Sequence, residues 1–338
     1  MISKVVLKNF GPLADLEWSD LGSLNLVIGQ NGSGKTFLLK ALYTAMRTME
    51  GYRRGDDKRL AGDILFEKLY WTFQPDKLGD LVTKRRSGPL ACEVGLRGKG
   101  SFSYRFGKNT SRKIGFLKEP VPKRNSNSIF LPAKEVLSLQ HVILTSRERD
   151  SVFGFDDTYF DLVHALQHPA TRGNNFRAFS EARKRLKKAF DGRVSYDAST
   201  KRWYFVQGSV RFDIGLTSEG IRKIGVLDTL LGNRYLTPHS IVFVDEPEAA
   251  LHPTAISQLL DIVEMLSETG IQFFLASHSY FVVKKLALMA QAKKISIPVL
   301  SYHERRWHRE DLRDGMVSNP IIDESIRLYE EEVGMVLK

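Results

Sequence analysis

The chain has 338 residues, 42% of them hydrophobic, which is enough for one large α/β domain or two smaller ones. A single cysteine, Cys92, excludes an internal disulfide and fits a reducing compartment. No apolar run approaches the roughly 20 residues of a membrane helix, and Met1–Lys8 reads as a strand rather than a signal peptide, so a soluble cytoplasmic protein with no membrane partner is expected. The net charge of +11 is uneven: residues 47–124 carry 19 basic and 9 acidic side chains, while residues 125–338 carry 27 of each. Such a local excess fits a polyanion such as DNA or RNA, or is simply a solvated basic surface.

In chain order, residues 3–8 and 14–18 read as strands joined by a turn through Asn9-Phe10-Gly11-Pro12, and with the apolar run 24–28 they are expected to form one opening sheet. Gly29-Gln30-Asn31-Gly32-Ser33-Gly34-Lys35-Thr36 follows, then apolar residues at helical spacing to about Gly51. Strand, Gly-rich loop and helix is the setting of a phosphate-binding loop. Its glycines (Gly29, Gly32, Gly34), with Asn31 and Ser33, would turn backbone N–H groups around phosphate oxygens at a helix N-terminus. Lys35 would reach the β- and γ-phosphates and the Thr36 hydroxyl would ligate Mg²⁺.

Residues 52–59 read as a charged loop and 64–73 as a helix stopped at Gln74-Pro75. Short strands at 92–96, 101–106 and 113–117 are expected to form a separate antiparallel layer carrying much of the basic excess. Residues 120–127 read as a polar linker, 128–132 as a buried strand and 134–190 as mostly helical. On one face of that stretch lie Phe176, Phe179, Ala182, Leu186 and Phe190, with basic residues filling the rest. A hairpin is expected over 194–206 and a helix over 219–234. Strands at 240–244, 271–276 and 297–302 then alternate with helices at 254–268 and 279–292, a parallel-sheet pattern, before a terminal helix.

The strand 240–244 ends in Asp245-Glu246-Pro247-Glu248 and the strand 271–276 in Ser277-His278. Acids at the carboxyl end of a parallel strand face the ligand crevice. Asp245 would hold Mg²⁺, Glu246 would polarise the attacking water, and His278 would meet the γ-phosphate or that water. A lone Asp-Glu pair or histidine is usually structural, and here the phosphate loop gives both a task. Gln74, lying between the loop and the later motifs, is a candidate sensor of Mg²⁺ and water.

These pieces resemble the nucleotide-binding domain of the ABC ATPase superfamily, in particular the group of RecF, SMC proteins and the OLD-type (overcoming lysogenization defect) defence ATPases. Lys8-Asn9-Phe10-Gly11 and the loop resemble that group's opening. Leu216-Thr217-Ser218-Glu219-Gly220-Ile221-Arg222-Lys223 resembles a degenerate signature motif, Asp245 through Pro253 the OLD-type Asp-Glu-Pro-Glu…Leu-His-Pro segment, and Ala276-Ser277-His278-Ser279 the histidine switch. Glu219 at the signature's centre, and Ala249 and His252 in the dimer-contact loop, depart from the transporter-type pattern.

The resemblance implies an α/β, ABC-type P-loop NTPase with a mixed central sheet, an antiparallel β layer and a helical subdomain. Its parts would be the first half of the ATPase lobe (1–50), a basic insert with the β layer (51–127), a mostly helical subdomain (128–212), the signature, Asp-Glu and histidine half of the lobe (213–303) and a tail (304–338). It implies ATP and Mg²⁺ as cofactors and an ATP-dependent homodimer in which Ser218, Glu219 and Gly220 meet the partner's nucleotide. Read without the resemblance, Thr217-Ser218-Glu219 is a helix N-cap with an acid in the first turn.

Two roles follow from the resemblance. One is an ATPase switch of an antiphage or toxin-type system acting on a separate effector, such as a nuclease or toxin. The other is a RecF-like DNA-binding ATPase of repair or recombination, favoured by the basic 47–124 segment.

Overall fold

Two burial patterns separate the strands near the N-terminus. β1 (Ile2–Phe10) and β2 (Leu13–Ser19) mix buried and exposed positions, whereas β3 (Leu24–Gly29) is buried throughout. Mixed burial suits a sheet with one wet face, and continuous burial suits a strand covered on both faces. A computed structural model, which describes residues 1–169 and 175–336, accordingly places them in different sheets. The single opening sheet expected from the sequence does not form.

β3 leads through the Gly-rich loop into α1 (Lys35–Gly51), followed by α2 (Ala61–Phe73). β4 (Leu90–Leu96), β5 (Gly100–Phe106) and β6 (Phe116–Leu117) come next. They are antiparallel, as expected, but not a separate layer. β4 pairs with β1 from Ile2↔Leu96 to Lys8↔Ala91, giving a five-stranded sheet in the order β2-β1-β4-β5-β6.

β7 (Ser128–Leu131) is followed by α3 (Gln140–Leu144), α4 (Asp157–Gln167) and α5 (Arg177–Phe190). Part of the helical stretch expected here, residues 170–174, lies outside the described residues. On α5, Phe179, Ala182 and Leu186 are buried as the periodicity requires, while Phe176 stays 48% exposed at the helix start. The expected hairpin is present as β8 (Arg193–Asp197) and β9 (Arg202–Gln207), and a third strand, β10 (Val210–Asp213), extends it.

α6 (Glu219–Gly232), β11 (Ile241–Asp245), α7 (Pro253–Ser267), β12 (Gln272–Ser277), α8 (Tyr280–Lys293) and β13 (Pro298–His303) alternate as the sequence predicts. β14 (Arg306–Asp311), not anticipated, turns back antiparallel on β13, and α9 (Pro320–Val336) closes the described chain. The second sheet has the order β14-β13-β3-β12-β11-β7 and is parallel apart from its β14 edge.

The central strands send alternate side chains to two cores. Leu26, Ile28, Val242, Val244, Phe273 and Leu275 face a core built with α4–α8. Val27, Phe243, Phe274 and Ala276 face a second core shared with α1 and the five-stranded sheet. α1 is thus sandwiched between the sheets, with Tyr43 edge-on to Phe130 and Phe243 at 5.9 and 6.1 Å.

A polar network ties α1 to the helical side. Asp161 of α4 accepts from Tyr43, Arg47 and Lys68 at 2.5, 3.2 and 2.9 Å, and Asp157 pairs with Lys68 and Arg147 at 2.6 and 3.1 Å. Removing one partner from such a buried set costs about 3–5 kcal/mol, so these pairs fix how α4 docks on α1. No helix among the described residues is long and apolar enough to cross a membrane.

Candidate functional site

Strand register assembles the site. Asp245 lies beside Ala276, and Ser277 beside Ile28, so the carboxyl ends of β3, β11 and β12 finish along one sheet edge. All three strands are mainly apolar and buried, and they end at this edge, which is where a doubly covered parallel sheet binds ligands.

The loop leaving β3 needs its glycines. Gly32 and Gly34 sit at φ 79° and 97°, a region L side chains rarely adopt, and Gly34 is the N-cap of α1. Gln30, Asn31 and Gly32 are exposed, whereas Ser33 is buried and its Oγ has no hydrogen-bond partner. The Lys35 ammonium folds back to donate to the carbonyls of Gly29 and Gln30, at 2.7 and 3.0 Å. Burial pulls its pKa below the usual lysine value, against the attraction of Asp245, Glu246 and Glu248.

The Thr36 hydroxyl contacts both carboxylate oxygens of Asp245, at 2.9 and 3.0 Å. Burial raises the Asp245 pKa, the Thr36 hydrogen bond opposes this, and the neighbouring Glu246 charge adds to the rise. Asp245 and Thr36 place a buried carboxylate beside a hydroxyl. The donor set, all oxygen, suits Mg²⁺.

Glu246 follows at φ 48°, its N–H donating to the Ala276 carbonyl at 2.9 Å. Its Oε1 lies 3.4 Å from His278 Nδ1, and Glu248 Oε1 lies 3.7 Å from the same nitrogen. Glu248 Oε1 also accepts from the Ser277 hydroxyl at 2.8 Å and the His278 N–H at 3.2 Å, while its Oε2 is buried without a partner. His278 stays 45% exposed, facing the crevice side of the edge.

Gln74 caps the C-terminus of α2 with φ 52°, and its Nε2 is buried and unpartnered. The preceding Phe73 packs on Phe37, next to Thr36, with ring centroids 4.5 Å apart. Ser33, Gln74 and Glu248 supply three of the eight unpartnered buried side-chain polar atoms among the described residues, and those of Ser33 and Glu248 belong to the segments that leave this sheet edge.

The signature residues lie at the start of α6. Ser218 is the exposed N-cap of α6, its hydroxyl accepting from the Ile221 N–H at 3.4 Å, and Glu219 is exposed beside it. Gly220 is buried against the 250–251 turn, where an added Cβ would come within 2.8 Å of the Ala250 carbonyl. Among the described residues no hydrogen bond or ion pair joins 218–220 to the phosphate loop of the same chain. The helix end is open to the surface, and Leu216 before it is 81% exposed.

Sequence reasoning passed over Lys223. Its ammonium donates to the Glu246 carbonyl, and burial lowers its pKa to about 8 against the attraction of Glu248, Asp245 and Glu246. The available signal was a lysine near a helix N-terminus, where the helix dipole disfavours cations.

Residues 99–284 match the profile of the family described as "AAA domain, putative AbiEii toxin, Type IV TA system". The DNA replication and repair protein RecF of Lactococcus lactis subsp. cremoris (strain MG1363) is 32% identical over 99 residues, 29% of this chain and 25% of that protein. The arginine transport ATP-binding protein ArtP of Haemophilus influenzae is 32% identical over 87 residues, 26% of this chain and 34% of that protein. The match thus spans about a quarter of the RecF length.

Among solved structures, an SMC head bound to the C-winged helix domain of ScpA superposes with a TM-score of 0.53 at 13% identity, covering 92% of this chain and 97% of that one. An SMC head with an extended coiled coil, bound to the C-terminal domain of ScpA derived from Pyrococcus furiosus, gives 0.51 at 13% identity and 98% coverage of both. These likenesses show the fold. The chain belongs to the AAA-domain family whose profile it matches, and its fold is that of an ABC-type ATPase with a RecF/SMC-like head.

Proposed function

We propose that this chain hydrolyses Mg·ATP as a two-headed switch. The observation that carries the reading is a phosphate cradle with acids on one sheet edge, together with an exposed serine-capped helix end that makes no hydrogen bond or ion pair to that cradle among the described residues. Lys35, Ser33 and the amides of Gly29, Asn31, Gly32 and Gly34 hold the β- and γ-phosphates. Thr36, Asp245 and Gln74 hold Mg²⁺, which neutralises phosphate charge when bound. Glu246 takes the proton of the attacking water as the new P–O bond forms and the bond to ADP breaks. The His278 imidazole, beside Glu246, orients that carboxylate and the γ-phosphate. Ser218 and Gly220 of a second copy, with Glu219 at the rim, close over the γ-phosphate with the partner's helix N-terminus.

Because two copies would build each site, turnover per head should rise with protein concentration through the range of dimer dissociation. A steady-state phosphate-release assay over a dilution series checks this. Turnover per head that stays constant down to concentrations where sedimentation shows monomer contradicts the reading.

The switch is read as controlling a separate effector of a toxin or antiphage type, supported by the family whose profile the chain matches. A DNA-bound, RecF-like role is the second reading. It is supported by the exposed cations Arg85, Arg86, Arg97 and Lys99, none of which forms an ion pair among the described residues. The loop carrying the first two is held beside the 9–12 turn by Thr83 N–H to Asn9 O at 2.9 Å and Asn9 Nδ2 to Ser87 O at 3.0 Å. That turn packs on Gly34 and Phe37, so a polyanion there would lie next to the phosphate loop. Reversing all four cations to Glu should weaken binding to a short duplex and flatten its salt dependence by about 0.9 in log–log slope for each phosphate no longer neutralised. Duplex affinity unchanged by the reversal, or absent in the parent at low salt, removes the DNA reading and leaves the effector.

A further inference from the structure

The first turns of α6 carry two adjacent cations that reach in different directions. Arg222 donates to Glu135 at 2.7 Å, to the Ser138 hydroxyl at 3.1 Å and to the Thr217 carbonyl at 2.9 Å, anchoring the turn to the segment after β7. Lys223 reaches the end of β11 and donates to the main-chain carbonyl of Glu246. Around its ammonium lie the carboxylates of Glu248, Asp245 and Glu246, and that of Glu219 on its own helix.

Glu246 is held in an unusual state. Its φ of 48° is sparsely populated for a residue with a side chain and persists only where the surroundings enforce it. Three bonds do so: the Glu246 N–H donates to Ala276 O at 2.9 Å, and the Glu246 carbonyl accepts from the Ala249 N–H at 3.0 Å and from the Lys223 ammonium. Between α6 and the β7–β11 side of the sheet lies a cavity of about 40 Å³, walled mostly by apolar side chains including Leu131, Val136, Ile224, Val244 and Leu275, with Lys223 at its lining.

We infer that Lys223 is a positioning residue that holds the main chain, and so the carboxylate, of Glu246 in its own head. The inference rests on the proposed role of Glu246.

The test measures Lys223→Met, Lys223→Arg and Glu246→Gln beside the parent, following ATP affinity, dimer formation and kcat. Displacing a catalytic group by about 1 Å costs on the order of 100-fold in rate, so Lys223→Met should lose between about 10- and 100-fold in kcat. ATP affinity should stay within about twofold, and the dimer should still form, because the cradle and Ser218 are untouched. Lys223→Arg, which keeps a cationic donor, should recover most of the rate. A Lys223→Met protein with parental kcat, or one that loses ATP binding and dimer together, overturns the inference. If Lys223→Met does not fold, the Arg variant decides: parental folding with the rate still lost overturns it. Glu246→Gln separates the layers: turnover retained there defeats the underlying reading, whereas an inactive Glu246→Gln beside a fully active Lys223→Met defeats only the positioning role.

Discussion

Glu246→Gln is expected to bind Mg·ATP as tightly as the parent, to accumulate as a dimer and to release phosphate at least about 100-fold more slowly, the usual scale for removing a general base. Glutamine keeps the size of the side chain and an oxygen that can accept a hydrogen bond, so the packing of the β11 end and the contact with His278 can persist. It cannot take a proton. It also removes a negative charge beside Asp245, whose pKa that charge helps to raise. A triphosphate and Mg²⁺ should thus be held at least as well, while the step that lets the heads part is blocked. Sedimentation with Mg·ATP and with Mg·ADP, together with single-turnover phosphate release, checks both halves. A variant that remains monomeric with ATP, at concentrations where the parent turns over, contradicts the proposal.

The parts of the site that could be read from the sequence are those where a local pattern forces a conformation. The glycines of the loop at 29–36 specify positive φ at Gly32 and Gly34 whatever the rest of the chain does. The runs before Asp245 and Ser277 are apolar at every position, and both became strands buried throughout in a parallel sheet. Ser218 was legible as a cap because capping is a contact between near neighbours.

What could not be read depends on partners far along the chain. β1 and β3 are close in sequence yet belong to different sheets, and β4 joins β1 across the whole phosphate-loop helix. The mainly apolar character of 24–28, broken only by Asn25, against the mixed polarity of 3–8, was the available sign that these strands have different surroundings. The pairing of Asp161 with Lys68 and Tyr43 spans about a hundred residues and leaves no local trace. β10 and β14 are edge strands carrying Arg and Asp, too polar to stand out from loops. Lys223 was visible as a residue but not as a contact, because its partner is a main-chain carbonyl.

The composite nature of the site is tested most directly by mixing two inactive proteins. Lys35→Ala removes the ammonium that bonds the Gly29 and Gln30 carbonyls and would reach the phosphates, so its own cradle fails. Ser218→Arg puts a long cationic side chain on the exposed helix cap, so it cannot close over a partner's nucleotide, while its own cradle stays intact. Each protein alone should be inactive, since both sites of each homodimer are defective. In a mixed dimer one site pairs the intact cradle of the Ser218→Arg copy with the intact cap of the Lys35→Ala copy, and the other site collects both defects. Random pairing in equal amounts makes half the dimers mixed, each with one sound site, so about a quarter of parental turnover should return. A mixture that stays as inactive as its components would show that cradle and cap do not meet across two copies.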